Sequence, residues 1–181
     1  MMDMTTVLVI EDDDTLRLGI SQVLKKNHFK VYEAGSGPKG IELFKRYRHD
    51  LVITDYRMEP MNGLEVLQEI KKITPETEVI MITAHGTPEI MLEAEKAGAC
   101  EFIFKPFPMV EFEVRVNKAI RLIREREESI RDKSELQYLR EELGVVPETT
   151  GMIGNSAEMK LIYQKIQNLK TIKFQESGQY C

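Results

Sequence analysis

Five short apolar runs separated by helical patterns constrain the fold of this chain more than any other feature of its sequence. The segments between the runs carry apolar residues at the three- and four-residue spacing of a helix. This alternation predicts βαβ units, and therefore an α/β domain with a doubly wound parallel sheet of five strands. Three runs are almost uninterrupted in Val, Ile, Leu and Met, which predicts central strands covered by helices on both faces. The runs are 7–10, 31–34, 51–54, 79–82 and 101–104.

The segment after Pro108 differs from the rest because it contains no Gly or Pro before Gly144. Apolar residues recur along it in a highly charged background, which predicts one long helix over residues 108–143 that overruns the domain edge. The apolar seam changes phase between Ile130 and Leu136, so we expect this helix to form a dimer over part of its length. A solvated single helix is the alternative.

The charge and the cysteine content exclude several classes of protein. The 181 residues carry a net charge of −5 without a basic cluster, so we expect no direct binding of nucleic acid. Cys100 and Cys181 suggest neither a disulfide framework nor a metal quartet, which favours a reduced, cytoplasmic environment. Acidic residues follow the run at 7–10 at once, so we expect no signal peptide and no membrane span there. Three histidines are expected at the surface in polar turns or loops: His28, His49 and His85.

Side chains suited to phosphate and metal chemistry follow the predicted strands at their carboxyl ends. In an open parallel sheet these ends meet at one edge, where ligands bind. Three carboxylates gathered there would raise one another's pKa unless a cation neutralised them, and an all-oxygen site of this kind suits Mg²⁺. A lysine can pair with a carboxylate or with a phosphoryl oxygen. The residues concerned are Glu11, Asp12, Asp55, Thr83 and Lys105.

Four motifs that contain these residues resemble the receiver domains of two-component response regulators. They are the acidic opening at 7–17, the segment 54–63 around Asp55, residues 82–84 and residues 104–107. The resemblance covers about residues 5–120. It implies a flavodoxin-like (βα)5 receiver domain at 1–120, extended by the long helix.

The resemblance also implies a phosphorylation site with a metal. Asp55 is the implied phosphoacceptor, and the implied cofactor is Mg²⁺, bound by Asp55 and directly by Asp12. Glu11 acts mainly through metal-bound water, and Arg57 contributes its backbone carbonyl. Counting back from Arg17 assigns the family's acidic pair to Glu11 and Asp12, which leaves residues 13 and 14 as helix-capping or surface positions.

Residues around the fourth and fifth strands match the switch of the family. Thr83 and Lys105 would hold the phosphoryl oxygens, and Phe102 matches the aromatic residue that turns when Thr83 moves inward. The Lys105–Pro106 peptide matches one that is cis in the family. One departure is that Glu59 separates the loop methionine from Pro60, although the length from Asp55 to Gly63 is preserved.

Two other classes of protein fit less well. A phosphatase with an aspartate nucleophile on a similar sheet needs a second aspartate two residues later, and that position is Arg57. A nucleotide- or flavin-binding module needs glycines after the first strand, where this chain has acidic residues. We therefore expect no enzyme activity beyond a receiver's catalysis of its own phosphorylation and dephosphorylation.

Residues 144–181 are predicted to form a linker and a short amphipathic helix. The stretch 152–159 is similar to the start of the central ATPase domain of sigma-54-dependent, enhancer-binding activators of the nitrogen-regulatory class. Gln175 stands where the phosphate-binding loop of that family has Gly, and the Lys of that loop does not follow before Cys181. We therefore expect a truncated stub of an AAA+ domain that binds no ATP.

The predicted function is that of a response regulator in a phosphorelay, which in a full-length relative regulates sigma-54-dependent transcription. The expected partners are a sensor histidine kinase and a second copy of the chain. The second copy would contact the fourth and fifth helices of the receiver domain and the long helix. The alternative is a stand-alone phosphoacceptor or interaction module without transcriptional output.

Overall fold

The computed structural model describes residues 4–84 and 86–142, in which strands and helices alternate. The strands are β1 (Thr6–Ile10), β2 (Lys30–Ala34), β3 (Leu51–Asp55), β4 (Glu78–Thr83) and β5 (Glu101–Phe104). The helices are α1 (Asp14–Lys26), α2 (Gly37–Tyr47), α3 (Gly63–Ile73), α4 (Pro88–Lys96) and α5 (Met109–Glu142). All five strands pair in parallel, in the order β2-β1-β3-β4-β5.

This topology confirms the predicted doubly wound α/β sheet of flavodoxin type. The three apolar runs form β1, β3 and β4, which occupy the centre of the sheet. The strand order reverses between β1 and β3, and an open sheet of this kind binds ligands beyond the carboxyl ends of its strands at such a point. The candidate site is therefore expected above β1 and β3.

Both faces of the sheet are covered by apolar packing. On one face, Ile20 and Leu24 from α1 and Phe112 from α5 pack against β1, β3, β4 and β5. On the other face, Phe44 from α2 and Leu67 from α3 contribute to a second core. These side chains are almost completely buried, and each such burial stabilises the fold by about 1.5–3 kcal/mol.

The long helix predicted over residues 108–143 is present as α5. Its first turns bury Phe112, Val116 and Ile120 against the sheet, whereas Ile130 and Leu136 farther along are exposed. A boundary between two structural units falls after Ser134. The linker, short helix and ATPase stub predicted at 144–181 lie outside the described residues. None of the described helices is both long enough and apolar enough to cross a membrane.

The prediction that His49 lies at the surface is wrong. Its side chain is buried, and its ring packs against the rings of Tyr32, Phe44 and Tyr47. Neither ring nitrogen has a hydrogen-bond partner among the described residues. Burial lowers the pKa of His49 to about 4, so the ring is neutral at pH 7. The aromatic pocket comes from β2 and α2, and the polar sequence around His49 gives no sign of it.

Candidate functional site

The carboxyl ends of β1 and β3 bring three carboxylates together. Glu11 and Asp12 follow β1 directly, and Asp55 is the last residue of β3. Carboxylate oxygens of these three residues all lie within 4.8 Å of one another. Glu11 and Asp55 are buried, whereas Asp12 is exposed. The cluster therefore borders solvent at Asp12.

Lys105, from the loop after β5, neutralises part of this charge. Its Nζ lies 2.8 Å from Oε2 of Glu11 and 2.9 Å from Oδ1 of Asp55. Burial alone would lower the pKa of Lys105, but hydrogen bonds to the two carboxylates raise it above its usual value. The lysine is therefore charged, and it joins the ends of β1, β3 and β5.

The pKa values of the two buried carboxyl groups are raised. Burial is the main cause at both Glu11 and Asp55, and the hydrogen bond from Lys105 opposes it in each case. A nearby carboxylate adds to the rise, Asp55 acting on Glu11 and Asp12 acting on Asp55. The cluster thus holds more negative charge than Lys105 compensates, and a second cation would relieve this repulsion.

The donor set fits a hard divalent cation. All three groups are carboxylates, which hard cations prefer, and one of them is exposed to solvent that can complete the coordination. The cluster contains neither His nor Cys, the ligands on which most zinc sites depend. Glu11, Asp12 and Asp55 could therefore hold a metal ion.

The two aspartates that follow the cluster act on α1 instead. Asp13 is the N-cap, and its carboxylate accepts a hydrogen bond of 2.9 Å from the backbone N–H of Leu16. This bond is the main cause that lowers the pKa of Asp13, and a backbone hydrogen bond from Thr15 acts in the same direction. Asp14 occupies the first turn and is exposed. Their predicted capping and surface positions are confirmed.

The loop after β3 is held against Asp55 by several backbone contacts. The N–H of Tyr56 donates to the carbonyl of Ile82 at 2.7 Å, and the N–H of Gly63 donates to the carbonyl of Tyr56 at 2.9 Å. Asn62 and Glu65 form a capping box that starts α3. These contacts return the chain to the sheet edge within a few residues, so α3 starts beside Asp55.

The remaining predicted site residues differ in their burial. Thr83 ends β4 and is buried, and its register partner on β5 is Phe104. Phe102 is half-buried and packs against the core on the α3 and α4 side of the sheet. The side chain of Arg57 is exposed in the loop after β3, and the Lys105–Pro106 peptide is cis.

Two features of the site were not predicted. The first is the ion pair between Glu11 and Lys105, which lie 94 positions apart. The second is a cis peptide at Glu59–Pro60, where the sequence departs from the family pattern. The ion pair could have been predicted from the sequence. The strands β1, β3 and β5 end at the same edge of the sheet, so a cation after β5 lies close to the acidic residues that end β1 and β3.

Comparison with known proteins identifies a family and several relatives of this chain. Residues 7–117 match the family model of the response regulator receiver domain. The chain is 36% identical over 115 residues to the chemotaxis protein CheY of Bacillus subtilis (strain 168), covering 63% of this chain and 96% of CheY. It is 27% identical over 160 residues to the transcriptional regulatory protein ZraR of Klebsiella oxytoca, covering 88% of this chain. The chain spans only 33% of the length of ZraR.

A solved structure supports the same fold. The crystal structure of a response regulator receiver domain protein from Clostridium thermocellum superimposes with a TM-score of 0.63 at 33% identity. The match covers 70% of this chain and 99% of that chain.

Proposed function

Because this chain belongs to the response regulator receiver domain family, we propose that Asp55 accepts a phosphoryl group from a sensor histidine kinase and thereby switches the conformation of the domain. The observation that carries this proposal is the carboxylate cluster at the ends of β1 and β3, with Lys105 bound to both Glu11 and Asp55. A nucleophilic carboxylate beside a fixed cation suits phosphoryl transfer, which depends mainly on positioning and charge.

The transfer forms one bond and breaks another. A carboxylate oxygen of Asp55 attacks the phosphorus of a phosphohistidine, the P–N bond breaks, and the imidazole leaves with the bonding electrons and takes up a proton. Lys105 then exchanges its carboxylate partner for a phosphoryl oxygen, and Thr83 donates its hydroxyl to another. The hydrogen bonds to Glu11 and Asp55 that raise the pKa of Lys105 hold a charged ammonium group beside Asp55 before the transfer.

We assign the metal of this reaction as Mg²⁺, in keeping with the all-carboxylate donor set. Asp12 and Asp55 would bind it directly, Glu11 through water, and Arg57 through its backbone carbonyl. When bound, Mg²⁺ offsets the negative charge that gathers between the carboxylates and the incoming phosphoryl group. Burial, with a nearby carboxylate adding to it, raises the pKa of Glu11 and of Asp55, and a bound cation would oppose both effects.

The switch is proposed to run through β4 and β5. Thr83 would move toward the phosphoryl group, and Phe102 on the neighbouring strand would turn into the space that Thr83 leaves. The half-buried position of Phe102 supports this role, because a ring partly in solvent can change its rotamer at less cost than one in the core. The surface formed by α4, β5 and α5 would repack.

The proposed output is regulation of transcription through a dimer, in the manner of sigma-54-dependent activators. The alignment with ZraR supports it, because it extends over 160 residues and so beyond the receiver domain. Exposed apolar side chains support a second copy as the occupant of the α4-β5-α5 surface and of the long helix. They are Leu92, Phe104, Val110, Val114, Ile130, Leu136 and Leu139.

A second candidate function is that of a stand-alone phosphoacceptor or interaction module. The observation that favours it is the match to CheY, in which the aligned region makes up 96% of the relative. In that case phosphorylation of Asp55 would alter binding of another protein, and no change in transcription would follow from the chain itself.

The phosphoacceptor is tested by labelling the protein with radioactive acetyl phosphate in the presence of Mg²⁺. Asp55→Ala should reduce the label to background, because it removes the proposed nucleophile, while Glu11, the other carboxylate bound to Lys105, is proposed to act only on the metal. Asp132→Ala, which removes an exposed carboxylate of α5, should label like the unmodified chain. Chelation of Mg²⁺ should also prevent labelling. Label that persists in Asp55→Ala would reject the assignment.

A further inference from the structure

The Arg17 side chain contacts the loop that carries the acidic pair. Arg17 lies in the first turns of α1 and is mostly buried, with a side-chain exposure of 16%. Its guanidinium donates a hydrogen bond of 2.7 Å to the backbone carbonyl of Glu11. The same group forms an ion pair with the carboxylate of Asp14. The proposed phosphorylation chemistry assigns no role to this arginine.

The carbonyl bound by Arg17 belongs to the peptide group that joins Glu11 to Asp12. The N–H of Glu11 donates to the carbonyl of Ala34 at 3.1 Å, so the backbone of Glu11 is held on both sides. The carboxylate of Glu11 has its own partner in Lys105. Asp12 is exposed, and its carboxylate makes no hydrogen bond or ion pair within residues 4–84 and 86–142. The orientation of Asp12 therefore depends on its backbone.

The guanidinium of Arg17 also lies against the loop between β2 and α2. A Cβ atom placed on Gly35 would lie 3.2 Å from Nη1 of Arg17, closer than most such contacts. Glycine at this position leaves the room in which the guanidinium lies against the backbone. Arg17 thus connects α1, the loop after β1 and the loop after β2.

We propose that Arg17 is a positioning residue for the cation site: it fixes the peptide between Glu11 and Asp12, so that both carboxylates face the cation together with Asp55. A lysine cannot replace it fully, because the rigid, planar guanidinium holds Nη1 on the carbonyl and Nη2 on the Asp14 carboxylate in a fixed geometry, which a flexible ammonium group does not reproduce. This inference rests on the proposed function, since it concerns how the same site binds Mg²⁺.

A purely structural role for Arg17 predicts a different result. In the ion pair between Arg17 and Asp14 the carboxylate is exposed to solvent, and ion pairs of this kind contribute little to stability. If Arg17 served only to stabilise α1, its loss would lower the melting temperature and leave the Mg²⁺ affinity of the folded protein unchanged. The two roles are separated by measuring Mg²⁺ binding directly.

The experiment titrates the full chain with Mg²⁺ and follows backbone amide signals in two-dimensional NMR spectra. Arg17→Met keeps the aliphatic stem and should weaken Mg²⁺ binding by about tenfold or more, as loss of an outer-sphere partner commonly does at metal sites. Arg17→Lys should give an intermediate affinity. Arg121→Met removes an equal charge from an exposed arginine of α5 and should bind Mg²⁺ like the unmodified chain.

Labelling by acetyl phosphate provides a second measurement. In Arg17→Met, half-maximal labelling should need correspondingly more Mg²⁺, while the extent of labelling at saturating Mg²⁺ approaches that of the unmodified chain. Gly35→Ala should weaken Mg²⁺ binding by a smaller factor than Arg17→Met without altering any charge, because the added methyl group requires Nη1 of Arg17 to shift. This variant and Arg17→Lys decide the question if Arg17→Met does not fold.

The outcomes distinguish this inference from the proposed function. If the unmodified chain binds Mg²⁺ and the folded Arg17 and Gly35 variants bind it equally well, the positioning role is rejected and the proposed function stands. If the unmodified chain does not bind Mg²⁺ at all, the proposed function and the positioning role are both rejected.

Discussion

Single residues carry the electrostatics of the candidate site. Lys105 contacts two carboxylates that are buried, and the pKa of each carboxyl group is nevertheless raised. One ammonium group therefore does not offset the desolvation and mutual repulsion of three acidic residues. This imbalance leaves the site suited to a further cation and makes the charge on Asp55 sensitive to what binds beside it.

At the scale of residues, the buried position of His49 also predicts that the stability of the chain depends on pH. Burial holds the pKa of His49 at about 4 in the folded chain, below its ordinary value of 6.5. As the pH falls from 6.5 toward 4, the unfolded chain takes up a proton that the folded chain does not, so the free energy of unfolding decreases by up to about 3 kcal/mol. Asp50 and Lys30 act on the ring in opposite directions. Urea unfolding between pH 7 and 4.5 measures this loss.

Two variants isolate the contribution of His49. His49→Phe should lose less stability than the unmodified chain over this pH range, because phenylalanine suits the aromatic pocket and does not titrate. His28→Asn alters an exposed histidine with a left-handed backbone, which asparagine also adopts, and should leave the pH dependence unchanged. Parallel stability curves for His49→Phe and the unmodified chain would contradict the argument.

At the scale of elements, the site depends on how closely α3 starts beside the end of β3. A Cβ atom on Gly63, the first residue of α3, would lie 2.2 Å from the carbonyl oxygen of Asp55. The same atom would lie 2.9 Å from Cα of Tyr56. Both neighbours are backbone, so only the absence of a side chain permits this approach. The helix and the strand end therefore form one rigid support for Asp55.

Alanine substitutions at two glycines should have opposite effects on stability, because the space around the added methyl group differs. Gly63→Ala should destabilise the chain by about 2 kcal/mol or more, because backbone at the site must move to admit the methyl group. It should also slow labelling of Asp55. Gly19→Ala lies within α1, where the nearest atom to the added Cβ is Cε of Met109 at 4.0 Å, and should stabilise by about 0.5–1 kcal/mol. Denaturant unfolding compares them, and equal stability of Gly63→Ala and the unmodified chain would refute the prediction.

At the scale of the whole molecule, α5 starts in the core of the receiver domain and continues past its edge. Its first part belongs to the core through Phe112 and Ile120, while Ile130 and Leu139 are exposed. A buried carboxylate at the opposite end of β5 from the site also holds this helix, since Arg115 and Lys118 pair with Glu101. A change in the packing of β5 would therefore reach α5 directly.

The proposed dimer predicts a change in mass on truncation. In static light scattering the full chain should have the mass of a dimer. A chain that ends at Glu128 should shift toward the monomer, because it loses Ile130, Leu136 and Leu139, which are exposed apolar residues of α5. Ile130→Ala should weaken the dimer, whereas Asp132→Ala, on a different side of the helix, should not. Monomer masses for both the full and the shortened chain would reject a role for this helix in dimerisation.

Much of the fold was predictable because its signals are local. Apolar runs of four residues and helical spacing indicated every strand and the long helix, and the strands lie within two residues of the predicted bounds. The gathering of Glu11, Asp12, Asp55 and Lys105 followed from topology, since parallel strands end at one edge. His49 was misjudged because its aromatic neighbours on β2 and α2 are not adjacent in sequence.

The sequence by itself determined the order of elements and the kinds of side chain at the sheet edge, since both depend on short-range pattern and chain direction. The tertiary structure decided which partners those side chains have. Glu11 and Lys105 pair across 94 positions, and Arg17 binds a backbone carbonyl as well as a side chain. Such contacts depend on the packing of whole helices and on competition among several charges for the same buried space.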